Sequence, residues 1–451
     1  AFAGNPLLIS LERLADRGLL PRDRINTLDS SVGHVDYERV RATKLPLLEE
    51  AARNFLSTAD GNRRAAFDRF CRDHGWWLDG YVLFVALRNR YPYGAWNRWP
   101  RELVRREPAA LERASHEMAE ELNVGRALQF FFFEQWRALR RACAQRGIRI
   151  VGDVAIFVSY DSADVWTHPD IFRLNQDLEP EVVAGVPPDA FSATGQRWGN
   201  PVYRWDVLQS RGYDWWIQRM RFAFEACDII RLDHFRGFEA YWEIPASEPT
   251  AVHGRWARGP NDDLFHALRN ALGSLPLIAE DLGYITPEVH ALRERFGLPS
   301  MKVLQFAFGD PGAHMYLPHR YQPNTVVYTG THDNDTTPGW LQHGASEAEK
   351  RAVAAYMGSD PAGMHWAMIR GAVTSPARLC VIPLQDVLGL GSEARMNVPS
   401  RAEGNWAWRY QPDALKADIA QRLAEMAEVA DRQPSAPAQQ GQWEGAEEFA
   451  A

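Results

Sequence analysis

Cysteine is scarce in this 451-residue chain: Cys71, Cys143, Cys227 and Cys380 are the only four, and no C-x-x-C occurs. That spacing argues against a disulfide framework or a cysteine metal cluster and suits a reducing cytoplasm. No apolar run approaches the roughly 18 residues of a membrane span, so no membrane partner is expected. Positive charge is in deficit, with 50 Lys and Arg against 58 Asp and Glu and a net charge of −8. A nucleic-acid partner would gain nothing electrostatically, whereas a neutral substrate fits this balance. Several motifs are also missing: no G-x-G-x-x-G follows an apolar run, and neither H-E-x-x-H nor G-x-S-x-G is present. Dinucleotide, zinc-protease and serine-hydrolase chemistries lose their sequence support with them.

Aromatic residues are abundant, with 17 Trp, 14 Tyr and 21 Phe. They pack cores, and they also make flat platforms for sugar rings. From Pro46 to about Gly147 apolar residues recur at three- and four-residue spacing, as in "LPLLEEAARNFLS" and "RALQFFFFEQWRALRRACAQRG". That pattern predicts a helical unit over 46–147, closed by Gly147. Beyond it, six short β-branched runs each end in polar residues: 148–158, 227–233, 275–281, 301–308, 325–333 and 377–386. Helical stretches lie between most of them. Strand–helix alternation predicts parallel strands with right-handed crossovers, and polar strand ends are the catalytic face of a β/α barrel. A doubly wound sheet alternates the same way but lacks its phosphate turn here. The segment 183–205, "VAGVPPDAFSATGQRWGNPVYRW", is rich in Gly and Pro without periodicity and reads as a long ordered loop. The tail over 431–451 reads as disordered, and 1–45 as a segment associated with the barrel.

Three acids stand at strand ends: Asp233 in "RLDH", Glu280 in "AEDLG" and Asp333 in "THDND". One such acid means little. Three on separate strands point to carboxylate chemistry, in which one group attacks an anomeric carbon and a second, kept protonated by a neighbouring negative charge, donates to the leaving oxygen. The competing reading makes them strand-end caps or ion-pair partners of Arg231 and Arg236. A metal reading built on His234 and "THDND" lacks ligand spacing. Trp198, between Arg197 and Gly199, can line a sugar subsite or pin its loop.

The motifs "GNPLLISLERL", "GDVAIFVSYDSADVW", "VAGVPPDAFSATGQRWGNP", "RLDHFRGFEAYWEIPA", "GLPSMKVLQFAF", "YTGTHDNDTT" and "LGSEARMN", followed by "GNWAWR", resemble those of the amylomaltases. These are 4-α-glucanotransferases within the wider α-amylase superfamily, and the resemblance runs to about Ala430. It implies a (β/α)8 TIM barrel with a helical subdomain insertion, acting with retention on maltooligosaccharides and α-1,4-glucans without a cofactor or metal. By position in the motifs, Asp233 matches the nucleophile, Glu280 the acid/base and Asp333 the transition-state carboxylate. Arg231 and His332 match donor-site partners, Asp153 the acid of the third barrel strand, and Trp198 the acceptor flap. Asn405 resembles a sugar contact, and Tyr81 a tyrosine of a second glucan site. Arg231 is placed to hold Asp233 ionised. Ala190 stands where many members carry Tyr, which removes an aromatic wall.

Only six barrel strands are counted, and "AFAGNP" begins where the family's third strand is still to come. The expectation is therefore that the first two strands are missing, leaving exposed edges and poor activity. A cytoplasmic monomer or weak homodimer is expected. The alternatives are an α-1,4-glucan hydrolase using the same carboxylates and an inactive glucan-binding fragment.

Overall fold

The computed structural model describes residues 1–26, 33–189, 192–309, 311–358, 363–399 and 401–433. Two compact units divide the chain. One is Ala1–Asp29 with Glu38–Leu277, and the other is Ser30–Tyr37 with Ile278–Ala451.

In the first unit the helical segment is built from Tyr37–Thr58, Gly61–Arg90, Pro108–Glu117 and Ala119–Ala144. Its onset lies ahead of the expected Pro46, because the first of these helices continues through that proline. The helices pack through an aromatic cluster in which Phe55 meets Phe67, Phe130 and Phe131 at centroid distances of 5.3–5.7 Å. Full burial of each such ring contributes on the order of 2 kcal/mol. The last helix ends as the sequence predicts. Gly147 takes φ +67°, its N–H donates to Ala144, and the Ile148 N–H donates to Cys143. Only a left-handed residue permits that pair of terminal bonds, and glycine adopts the conformation without strain.

The chain then enters strand β1 (Val151–Ala155). Strands β2 (Val182–Val186) and β3 (Gln196–Pro201) follow, then β4 (Ile229–Asp233), β5 (Ala240–Pro245) and β6 (Arg255–Arg258). β1 and β4 are parallel neighbours, with Asp153 opposite Arg231 and Ala155 opposite Asp233. The Ile230 N–H donates to the carbonyl of Pro276, just ahead of strand β7 (Leu277–Ala279). Below the strand end, Arg219 donates to the carbonyls of Ala155 and Ile156, and the Tyr203 hydroxyl also donates to Ile156.

The 183–205 segment corrects the expectation of a loop. β2 pairs antiparallel with both β3 and β5, and β5 with β6, giving a four-stranded sheet in the order β3-β2-β5-β6. Glycine conceals these strands from the sequence because they approach too closely for side chains. A Cβ on Gly185 would lie 2.1 Å from the Gln196 carbonyl oxygen. Arg173 and Arg255 grip the buried Glu243 of β5 at 2.6 and 2.7 Å, compensating its charge.

In the second unit the Ala279 N–H donates to Pro299. Strands β8 (Ser300–Val303), β9 (Thr325–Tyr328) and β10 (Leu379–Val381) form a parallel sheet in the order β10-β9-β8. Leu304, Val327, Met364 and Met368 belong to the core beside it. All six sequence-predicted barrel runs contain a strand, each shorter than its run. Of the segment 431–451 expected as a tail, only 431–433 are described. Arg432 donates to the carbonyls of Val373, Ser375 and Ala377, tying the chain down after the Ala417–Val429 helix. Residues 434–451 lie outside the described residues, as does Ala190.

Candidate active site

β4 answers the question of why an apolar strand carries Arg231 and Asp233. Residues two apart on a strand share a face, and the register sets Asp153 of β1 directly beside Arg231. The buried Arg231 guanidinium spans both acids, with Nη1 to Asp153 Oδ2 at 2.6 Å and Nη2 to Asp233 Oδ1 at 2.8 Å. One guanidinium between two carboxylates links them by charge-assisted hydrogen bonds and fixes the plane of Asp233. The Asp233 side chain remains 41% exposed, so its second oxygen is open to a substrate.

β4 ends abruptly. His234, the next residue, takes φ +51°, an uncommon conformation for a side-chain-bearing residue, and turns the chain into the short helix Arg236–Glu239. Its ring meets the edge of Trp198 on β3 at 4.8 Å and 89°. Trp198 is 38% exposed and its indole N–H donates to Gln196. Arg236, the other cation of this stretch, lies 3.9 Å over the Trp256 ring and serves packing.

Burial holds the His234 imidazole down to about 4, with Arg236 adding to the effect and Asp233 opposing it. The sign of the linkage follows. An unfolded His takes up a proton near pH 6.5 while the folded one stays neutral until about pH 4. Stability is undiminished above pH 6.5 and falls progressively toward pH 4. We expect a loss on the order of 2 kcal/mol from this residue over that window. The check is urea unfolding of the wild type and His234→Asn. Their stability difference should shrink in the mutant's favour as pH falls from 7 to 4.5; a constant difference would exclude a neutral buried imidazole.

Tyr81 stands apart from these groups. It lies on the Gly61–Arg90 helix beside Trp77, at a cavity of about 670 Å³ that Trp76, Asp79 and His168 also line. Burial raises its phenol above the ordinary value, so it stays protonated and can donate.

The second unit holds the other acids. Glu280 directly follows β7 and is 9% exposed; its Oε1 accepts from the Leu282 N–H at 2.9 Å. Next to it, Asp281 accepts from the Met301 N–H at 2.8 Å and lies 3.2 Å from Arg293. Burial raises the Asp281 carboxyl and lowers the ammonium of Lys302. The Tyr316 phenol is pushed up to about 12 by burial and then by Asp281 and Glu280, so a protonated hydroxyl and two carboxyl groups share this corner.

Asp333 lies on the segment after β9, with His332 Nε2 3.5 Å from its Oδ2. A group that sequence reasoning missed holds it. Asn397 donates to Asp333 Oδ1 at 2.6 Å, and Arg395 donates to the Asp333 carbonyl at 2.6 Å. The Trp406 ring lies 5.2 Å from that of His332, tilted by 36°. The "LGSEARMN" motif contains Asn397, but nothing local says which acid it meets. Asn405, expected as a sugar contact, spends its amide on its own loop. Its oxygen accepts from the Val398 N–H, and its nitrogen donates to the Arg401 carbonyl. Among the described residues, no group of three or more His, Cys, Asp or Glu is arranged to hold a metal ion.

A family profile described as 4-alpha-glucanotransferase matches residues 1–416. The chain belongs to the 4-alpha-glucanotransferase family. Among its relatives is the 4-alpha-glucanotransferase of Thermus thermophilus, 51% identical over 96% of this chain and 87% of the relative. The Synechocystis 4-alpha-glucanotransferase is 45% identical over 96% and 86%. The potato (Solanum tuberosum) chloroplastic/amyloplastic protein is 43% identical over 91% and 71%. Among solved structures, the Streptococcus agalactiae amylomaltase in complex with acarbose matches with a TM-score of 0.92 and 34% identity. That match covers 95% of this chain and 87% of the other. The α/β architecture expected from the motifs is the fold this 4-alpha-glucanotransferase chain shares with the amylomaltases.

Proposed function

We propose that this chain transfers α-1,4-glucan segments between maltooligosaccharides by double displacement, with Asp233 as nucleophile and Glu280 as acid/base. The observation that carries the reading is Arg231 bridging Asp153 and Asp233, which leaves an oriented and accessible carboxylate. In the first step Asp233 attacks C1 of the donor sugar. The C1–O4 bond breaks, and Glu280 gives its proton to the leaving O4. The glucosyl ester on Asp233 has inverted configuration. In the second step the acceptor's 4-hydroxyl gives its proton to Glu280 and attacks C1. The ester breaks, and the second inversion restores the α-linkage. Asp333 supplies negative charge to the oxocarbenium-like transition state, and His332 and Arg231 contact the donor sugar.

Trp198 offers a platform to the acceptor, and an aromatic face there favours a sugar hydroxyl over water. Tyr81 serves a second glucan site. Asn405, whose amide also braces its own loop, serves as a sugar contact. No helix among the described residues is long and apolar enough to cross a membrane. The four free cysteines support a cytoplasmic enzyme, and we assign it as a monomer or weak homodimer.

The test is the product pattern from maltotriose. Transfer yields glucose together with a ladder of longer oligosaccharides. Glucose and maltose without longer products would make the protein a hydrolase, and ligand binding without turnover would make it a glucan-binding fragment.

A further inference from the structure

We propose that Asn397 is a positioning residue that holds the Asp333 carboxylate in the orientation transfer requires. The inference rests on the reading of Asp333 as the transition-state carboxylate and adds the group that aims it.

Asp333 needs such a group. It lies five residues beyond the end of β9, where no strand register fixes its side chain. Asn397, 64 residues away in sequence, makes two contacts to the pair. Its amide donates to Asp333 Oδ1 at 2.6 Å, and its backbone N–H donates to the His332 carbonyl at 3.1 Å. The Asn397 carbonyl in turn accepts from Arg395 Nε at 2.9 Å, while the other end of that guanidinium holds the Asp333 carbonyl. The Trp406 N–H donates to Met396 from a left-handed turn, φ +60°, which brings the indole over His332. One loop therefore fixes backbone and side chains of His332 and Asp333 together.

The chemistry of the donor is what singles out Asn397. Asp233 is held by a guanidinium, which fixes one oxygen of the nucleophile. Asp333 is held by a neutral amide. An amide orients one oxygen and leaves the full negative charge for the developing positive charge on the sugar. A cation in its place would cancel part of that charge. An apolar group would leave the carboxylate to rotate.

The experiment compares kcat and KM on maltotriose for wild type, Asn397→Ala, Asn397→Asp and Asp333→Asn from pH 4.5 to 8. Asn397→Ala should lose about 10²-fold in kcat with KM changed less than about threefold, because misaiming a group that acts in the transition state costs turnover rather than binding. Asn397→Asp sets two carboxyl groups face to face. At neutral pH it should be at least as impaired as the alanine variant. As pH falls, the new carboxyl takes up a proton and, keeping it, donates a hydrogen bond to the Asp333 carboxylate, so its activity relative to wild type should rise at least tenfold by pH 4.5. A merely structural asparagine would not produce this recovery. Parallel loss of kcat, affinity and melting temperature in Asn397→Ala would overturn the proposal, and so would a flat pH ratio for Asn397→Asp. Asp333→Asn separates the two claims. If it is inactive while Asn397→Ala is not impaired, only the role of Asn397 falls. If it retains turnover, the reading of Asp333 falls and the positioning role with it.

Discussion

Asp233→Ala is expected to abolish transfer from maltotriose, with turnover reduced by roughly 10⁴-fold or more, and azide to restore reaction of an α-glucosyl fluoride with inversion to the β-glucosyl azide. The effect is large because the carboxylate forms the bond that defines the intermediate, and water in its place reacts from an unfixed position. Azide enters the space the side chain leaves and attacks C1 as fluoride departs, and no second displacement follows to restore the α-configuration. The Arg231–Asp153 pair remains in the variant to keep the strand face intact. Product anomer is read by nuclear magnetic resonance. An α-azide from this variant would place the nucleophile elsewhere.

Glu280→Ala is expected to give the second large effect, with the opposite stereochemistry. Loss of the proton donor lowers turnover of maltotriose by about 10³-fold or more, since an unactivated sugar alkoxide is a poor leaving group. An α-glucosyl fluoride needs no such proton. Its first step survives, and the intermediate accumulates because no base remains to activate the acceptor. Azide needs no base and attacks the ester on Asp233, so the product is the α-azide with overall retention. Equal losses with fluoride and maltotriose donors would show that Glu280 is not the acid.

The sequence disclosed the strands better than their ends. Six β-branched runs were legible because parallel strands buried on both faces must be apolar. Yet in 301–308 the strand stops at Val303 and a tight helical turn takes over at Leu304–Phe308, and an apolar run looks the same in both. β2 and β3 were hidden by the glycines that make their pairing possible. The three acids were legible because charge at the end of an apolar run is unusual. Their supporting contacts were not. Arg231 reaches Asp153 through the register of strands 78 residues apart, and Asn397 reaches Asp333 through a loop that returns 64 residues later. Neither partner carries a local sign of the other. Asn405 shows the converse: a polar residue in a recognisable motif whose hydrogen bonds are spent on its own turn.

The central claim is that Asp233 becomes covalently glycosylated. The most direct test is mass spectrometry of the whole chain after incubation with a 5-fluoro-α-glucosyl fluoride, a donor that slows both steps while retaining a good leaving group, followed by peptide mapping. The account predicts one added fluoroglucosyl group, located on Asp233, that is discharged when a maltooligosaccharide acceptor is supplied. A label on any other residue, or donor turnover with no covalent species, would contradict it.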